Sequence, residues 1–273
     1  MTGLSLSVHW LPNNPSSSTL ADLDTMRLLS IPILLFPGAA LALVPPDYKE
    51  PTTKYLAELE LGMQYNSGNT NSSNFNTRGK LVYDIENARQ ELVLRGYFAS
   101  DNKETSAEQY QIQYQVDYKL QGTRYLFGRA DLLWDRFGAF EKQHTLSSGY
   151  GFTPLDIKNT KLSLEVGAGF RYNQANLSNS ATPEQNRKDE EAILRLASKF
   201  EHRLMEYTSF NADANVEYGQ SNTIANLNLS YRNQLWADLA LKIGMDIKYT
   251  DQVPEGTKHN DVISTVNLLY TIR

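Results

Sequence analysis

The sequence predicts an all-β chain closing into a transmembrane antiparallel β-barrel of about twelve strands with periplasmic termini. Three observations predict it: a two-residue alternation of apolar and polar residues that recurs along the chain, connections that alternate between short turns and longer polar loops, and an export leader ahead of the first strand. The alternation is clearest at 109–120, QYQIQYQVDYKL, where Tyr110, Ile112, Tyr114, Val116, Tyr118 and Leu120 share one face and Gln111, Gln113, Gln115, Asp117 and Lys119 the other. A helix would instead space its apolar residues by three and four.

In chain order the leader comes first. Residues 26–42 read MRLLSIPILLFPGAALA, with one Arg, an apolar core from Leu28 to Phe36 and the small-x-small triplet Ala40-Leu41-Ala42. This is a signal-peptide pattern that predicts cleavage after Ala42. Its apolar core is shorter than the roughly 18 residues a membrane-spanning helix needs, and no other run comes near that length. Residues 1–25 are polar, contain Pro and Ser, and are read as an extension ahead of a translation start at Met26. The remaining residues, 43–273, are expected to form one barrel with no second domain.

Strands are expected near 55–65, 75–85, 91–100, 109–120, 124–135, 143–152, 162–172, 191–201, 208–218, 223–232, 237–249 and 261–272. Short turns are expected at 86–89, 121–123, 153–159, 202–206 and 233–235, and longer loops rich in Asn, Ser and Lys at 66–74, 101–107, 136–142, 173–188 and 250–260. That alternation matches short periplasmic turns and longer outward loops, and only the connection at 219–222 is shorter than the rule predicts. Closure also removes sheet edges, whose unpaired backbone groups would each cost several kcal/mol in hydrocarbon.

A soluble barrel or sandwich shows the same alternation with its apolar face turned inward. Three features favour a membrane: the leader with its loop asymmetry, the tyrosines at strand ends on the apolar face, such as Tyr65, Tyr83, Tyr110, Tyr118, Tyr172, Tyr218, Tyr231, Tyr249 and Tyr270, and small residues on that face, such as Ala168, Ala212 and Ala214. Amphipathic rings prefer the membrane interface, and alanines cost little against lipid yet fill a packed core poorly. The chain has no cysteine, so it carries neither a disulfide framework nor a thiolate metal site. Its net charge of −5 becomes −4 once Asp22, Asp24 and Arg27 leave with the leader, which excludes a polybasic nucleic-acid binder.

The segments YNSGNTNSSNFN (65–76), ETSAEQYQ (104–111), WDRFGAFEKQHTLSSGYGF (134–152), LEVGAGFRY (164–172) and RLASKFEHRL (195–204) carry a family resemblance. In their order the chain resembles the salt-induced outer-membrane proteins of Gram-negative bacteria, a domain of unknown function. The most specific pieces are Ser67-Gly68-Asn69-Thr70 and Asp135-Arg136-Phe137 followed by Gln143. The resemblance implies an outer-membrane location, porin-like architecture and a stress-related role, and supplies no substrate or cofactor. The expected surroundings are outer-membrane lipid and lipopolysaccharide, with the barrel-assembly machinery as partner during biogenesis. Val262, Ser264, Val266, Leu268, Tyr270 and Ile272 roughly fit the alternating terminal strand that this machinery reads, while Arg273 departs from its terminal aromatic.

Function would be written on the polar face. There the alternation places Glu58, Glu60, Asp84, Glu91, Asp117, Asp131, Glu165, Glu201, Asp213, Glu217 and Asp246 against Arg78, Lys80, Arg95, Lys119, Arg129, Arg171, Arg195, Lys199, Arg232, Lys242 and Lys248. These near-balanced charges either pair across a narrow, plugged interior or line a narrow passive pore of weak selectivity. A hydrolase needs a nucleophile beside a positioned base. The barrel carries only His144, His202 and His259: His144 and Ser147 have opposite parity, His202 is expected in a short turn and His259 in a loop, so no catalytic residue is assigned. No metal or cofactor motif is present. Ser67-Gly68-Asn69-Thr70 reads first as turn chemistry and second as a sugar-binding loop.

Overall fold

The computed structural model describes residues 54–66, 72–176, 188–253 and 258–272. The predicted extension, the leader with its Ala40 and Ala42 cleavage site, and the first-loop residues Ser67 to Thr70 lie outside the described residues.

Twelve strands follow in chain order: β1 (Tyr55–Asn66), β2 (Ser72–Asp84), β3 (Ala88–Asp101), β4 (Glu104–Lys119), β5 (Arg124–Asp135), β6 (Phe140–Ile157), β7 (Thr160–Ala175), β8 (Lys188–Met205), β9 (Thr208–Gly219), β10 (Thr223–Gln234), β11 (Leu239–Thr250) and β12 (Asn260–Ile272). Each pairs antiparallel with the next, and β12 returns to β1, so the sheet is a closed barrel. The last ladder is the shortest. β1 pairs with β2 along its full length from Tyr55 to Asn66, yet meets β12 only over Ala57 to Leu61.

The alternation is explained by which side each residue faces. In β1, Leu59, Leu61, Met63 and Tyr65 are exposed on the outer wall while Glu60 is sealed inside. In β4, Tyr110, Ile112, Tyr114 and Tyr118 are likewise exposed and Gln115 is buried. Apolar side chains therefore face outward, the reverse of a soluble barrel. Outward rings gather toward both ends: Tyr55, Tyr118, Tyr231 and Tyr270 near one, and Tyr65, Tyr110, Tyr218 and Tyr249 near the other. Tyr55 and Tyr65 stand ten residues apart. At roughly 3.4 Å per residue and a tilt of about 40°, that is about 25 Å along the barrel axis, the height of an apolar membrane band.

Three expectations about the connections need correction. The predicted loop at 101–107 is a two-residue hairpin, in which Asn102 and Lys103 both take positive φ (49° and 71°), the backbone of a twist-compatible tight turn. The turn expected at 153–159 is only 158–159, because β6 runs on past a register shift between Phe152 and Leu155. β8 extends through His202 to Met205, so His202 sits in a strand, with its Nδ1 2.8 Å from Thr160 Oγ1.

The barrel is not round. Twelve strands about 4.8 Å apart and tilted by about 40° would enclose a circle roughly 24 Å across between backbones. Yet Lys248 on β11 donates to Gln143 Oε1 on β6 at 2.9 Å, although five strand steps separate the two. Two extended side chains together reach only about 12 Å, so the section there is flattened.

Candidate functional site

The interior holds two ion clusters and one wet strip. The larger cluster begins where β6 and β7 pair Gly149 with Gly167. A Cβ at either glycine would run into a neighbouring backbone carbonyl and the Phe127 ring, so the bare backbone seats Phe127 of β5 against this wall, where it is 3% exposed. Beside it Tyr125 donates to Glu165 Oε1 at 3.1 Å, and Gln115, three strands from β7, donates to the same oxygen at 2.9 Å.

From Glu165 the contacts run onward toward the loop end. Arg195 lies 3.9 Å from Glu165 and 3.3 Å from Glu217, Arg171 lies 3.6 Å from Glu217, and Arg171 donates to Glu191 at 2.6 Å. On the other side Arg129 donates to Gln115 at 2.9 Å, and Gln111 and Gln113 donate to Asp131 at 2.9 and 2.6 Å. Arg171, Arg195 and Glu165 are almost completely sealed from water. An unpaired charge at such depth would cost several kcal/mol, and alternating signs along the row offset part of that cost.

The smaller cluster surrounds Glu60. Its carboxylate accepts from Arg78 and from Lys242 at 2.9 and 3.1 Å, and Asn267 donates to it at 3.4 Å. Below, Glu58 accepts from Arg232 at 3.1 Å. Lys80 pairs with Glu91 at 3.4 Å, and Lys119 closes the turn end by holding Asp84 and the Ile85 carbonyl.

The wet strip follows β9 to β11. Its mid-strand inward residues are short: Asn211, Asp213, Asn215, Asn226, Asn228 and Asp246. Asp213 is exposed although it lies mid-strand inside the barrel, opposite Asn228 on one side and Lys199 on the other. Asn228 fixes Asp246, whose side chain remains 40% exposed. Arg95 of β3 reaches over to within 3.6 Å of Asp246 with 34% of its own side chain exposed. The strip is open because Asn and Asp are too short to span it.

At the loop end Asn222 holds Gln252 twice, donating to its carbonyl at 2.7 Å and accepting from its N–H at 2.9 Å. Ser221 N–H donates to Glu191 at 2.7 Å, which draws the short 220–222 connection inward. Gln115 was placed on the polar face from sequence without a role, and Tyr125, Glu191 and Asn222 were not assigned to the interior. Their inward parity was readable, but the partners that give them roles lie 30 to 50 residues away.

Catalytic geometry is not assembled at the histidines. Ser147 is buried inside while His144 stands on the outer wall between Trp134 and Tyr172, at ring distances of 5.2 and 5.9 Å. His259 lies in the β11–β12 connection and packs on Tyr249. Among the described residues no group of three His, Asp or Glu side chains could hold a metal ion.

A protein-family model described as "Protein of unknown function, DUF481" matches residues 59–272, the barrel from its first strand to its last. The chain belongs to this family. A relative is the uncharacterized protein YdiY of Escherichia coli (strain K12), 23% identical over 229 residues, covering 84% of this chain and 86% of that protein. Among solved structures, the NanC porin aligns over 79% of this chain and 97% of its own with 8% identity and a TM-score of 0.46. The KdgM porin in complex with disordered oligogalacturonate aligns over 80% and 99% with 7% identity and a TM-score of 0.41. These likenesses concern the barrel alone.

Proposed function

We propose that this chain is an outer-membrane barrel acting as a narrow passive pore, with its passage displaced toward the β9–β11 wall. The observation that carries this reading is the water exposure of Asp213 at the middle of the interior. The outward apolar band between two aromatic belts supports the membrane location. Opposed charges on Asp246 and Arg95 at the strip's edge favour weak selectivity among small ions over passage of bulky solutes. Planar-bilayer recording tests this: small stepwise conductance is expected, and no steps at any voltage would leave a charge-plugged structural barrel. That second reading is favoured by the sealed Arg171, Glu165 and Arg195 row.

The non-enzymatic reading is supported by the separation of His144 from Ser147. Lipase or protease activity abolished by His144→Ala would overturn it. The stress-related role comes from the family resemblance, and growth of a deletion strain at raised salt tests it.

A further inference from the structure

The outer wall of β5 to β8 carries polar groups that lipid tails alone do not call for. Read across the ladders, its uppermost row is Trp134, Lys142, Gln174 and Lys188, and the next is Leu132, His144, Tyr172 and Glu190. Below them a groove of about 490 Å³ opens on the wall over Leu132, Leu146 and Phe170, with His144, Tyr172 and Glu190 along its upper edge. Leu146 and Phe170 are among the more exposed apolar side chains of the barrel. Charge, rings and apolar floor thus stand in one vertical column.

We propose that this column binds a phosphorylated glycolipid of the outer leaflet, of the lipid A class. The proposal rests on the outer-membrane location given above and not on conduction. Lys142 and Lys188 project from strands two apart, about 10 Å from each other, with Gln174 between them. Among the described residues neither lysine sits in an ion pair, so both ammonium groups are available to phosphate. Tyr172 donates to Gln174 at 3.3 Å, which ties its ring to the upper row and offers it to a sugar face. Glu190 is the acid of the site and accepts from sugar hydroxyls, a role a plain phospholipid cannot use. His144 Nε2 is buried without a hydrogen-bond partner and lies at the groove's edge, where a headgroup oxygen completes it. The acyl chains lie over Leu146 and Phe170.

The test uses the full chain in detergent micelles, titrated with lipid A, dephosphorylated lipid A and phosphatidylglycerol, with bound lipid counted by native mass spectrometry. Lipid A is expected to bind at least about tenfold tighter than the other two, and Lys142→Gln with Lys188→Gln to remove that preference. Both lysines are on the surface, so the double variant keeps its heat-modifiable gel migration. Equal binding of lipid A and phosphatidylglycerol, or a preference that survives the double change, overturns the site. Phe170→Ala provides a second arm, weakening lipid A while leaving the phosphate preference intact. Loss of conductance with lipid A still bound overturns the pore and supports this site. Conductance with no lipid A preference does the reverse.

Discussion

The walls on either side of β9 handle inward polarity in opposite ways. From β4 round to β8 the inward side chains are long, and Gln115, Glu165, Arg171 and Arg195 reach one another and exclude water. Midway along β9 to β11 they are short, between the long Glu217, Arg232, Lys242 and Lys248 nearer the strand ends, and Asp213 and Asp246 remain wet. Both walls carry charge, so charge does not separate them. What separates them is reach, helped on the tight side by glycines that let Phe127 press into the wall. A barrel of fixed strand number can thus set the width of its passage by choosing Asn and Asp or Arg and Glu at inward positions.

The comparison can be broken most forcefully at Arg171. Arg171→Met would leave Glu191 sealed without a counter-charge and Glu217 with Arg195 alone, and should cost about 3–5 kcal/mol in urea unfolding from lipid vesicles. A loss under about 1 kcal/mol would mean the tight wall is wetter than described. Next, Gly167→Val should cost about 1–3 kcal/mol by driving Phe127 off its seat, and unchanged stability would show that the ring does not need the missing side chain.

On the open wall the expected effects move from stability to conduction. Asp213→Arg should change stability by less than about 1 kcal/mol, because the site is solvated. It should cut single-channel current roughly twofold or more and shift selectivity toward anions, since a long cation now crosses the strip. Current equal to the wild type would place the passage elsewhere. The smallest effect belongs to Arg136, which pairs with Glu108 at 3.0 Å yet is 70% exposed on its side chain. Arg136→Ala should stay within about 0.5 kcal/mol, and that variant calibrates the others.

Strand number and order were legible in the sequence because a period of two over a dozen residues separates strand from helix, whereas facing needed the leader, the loop asymmetry and the tyrosines at strand ends. The parity of Glu60, Asp117, Glu165 and Asp246 places them on the inward side of their strands. Which of them meet was not legible. Asn267 and Glu60 are 207 residues apart, and Lys242 and Glu60 are 182 apart, so only closure of the barrel brings them together. The 102–103 turn escaped notice because Asn-Lys stands where Asn-Gly is usual. β6 and β8 were read short because register shifts near Phe152 and Arg203 interrupt the pairing that the alternation implies. Inward apolar residues such as Val93, Phe127, Ile193, Ile224 and Leu269 were hidden by the same regularity, which assigns the inner face to polar residues as a rule.

The short ladder between β1 and β12 gives the molecule a direction in time. Elsewhere each strand must lose a full row of backbone bonds to leave its neighbour, but here only the stretch from Ala57 to Leu61 holds the ends together. Opening is therefore expected to start at this pair, from the loop end downward. Amide hydrogen exchange will read that order directly: the Met63 and Val266 amides should exchange well before those of Leu59 and Tyr270. The wall is a ring with a clasp, five residues of β1 long.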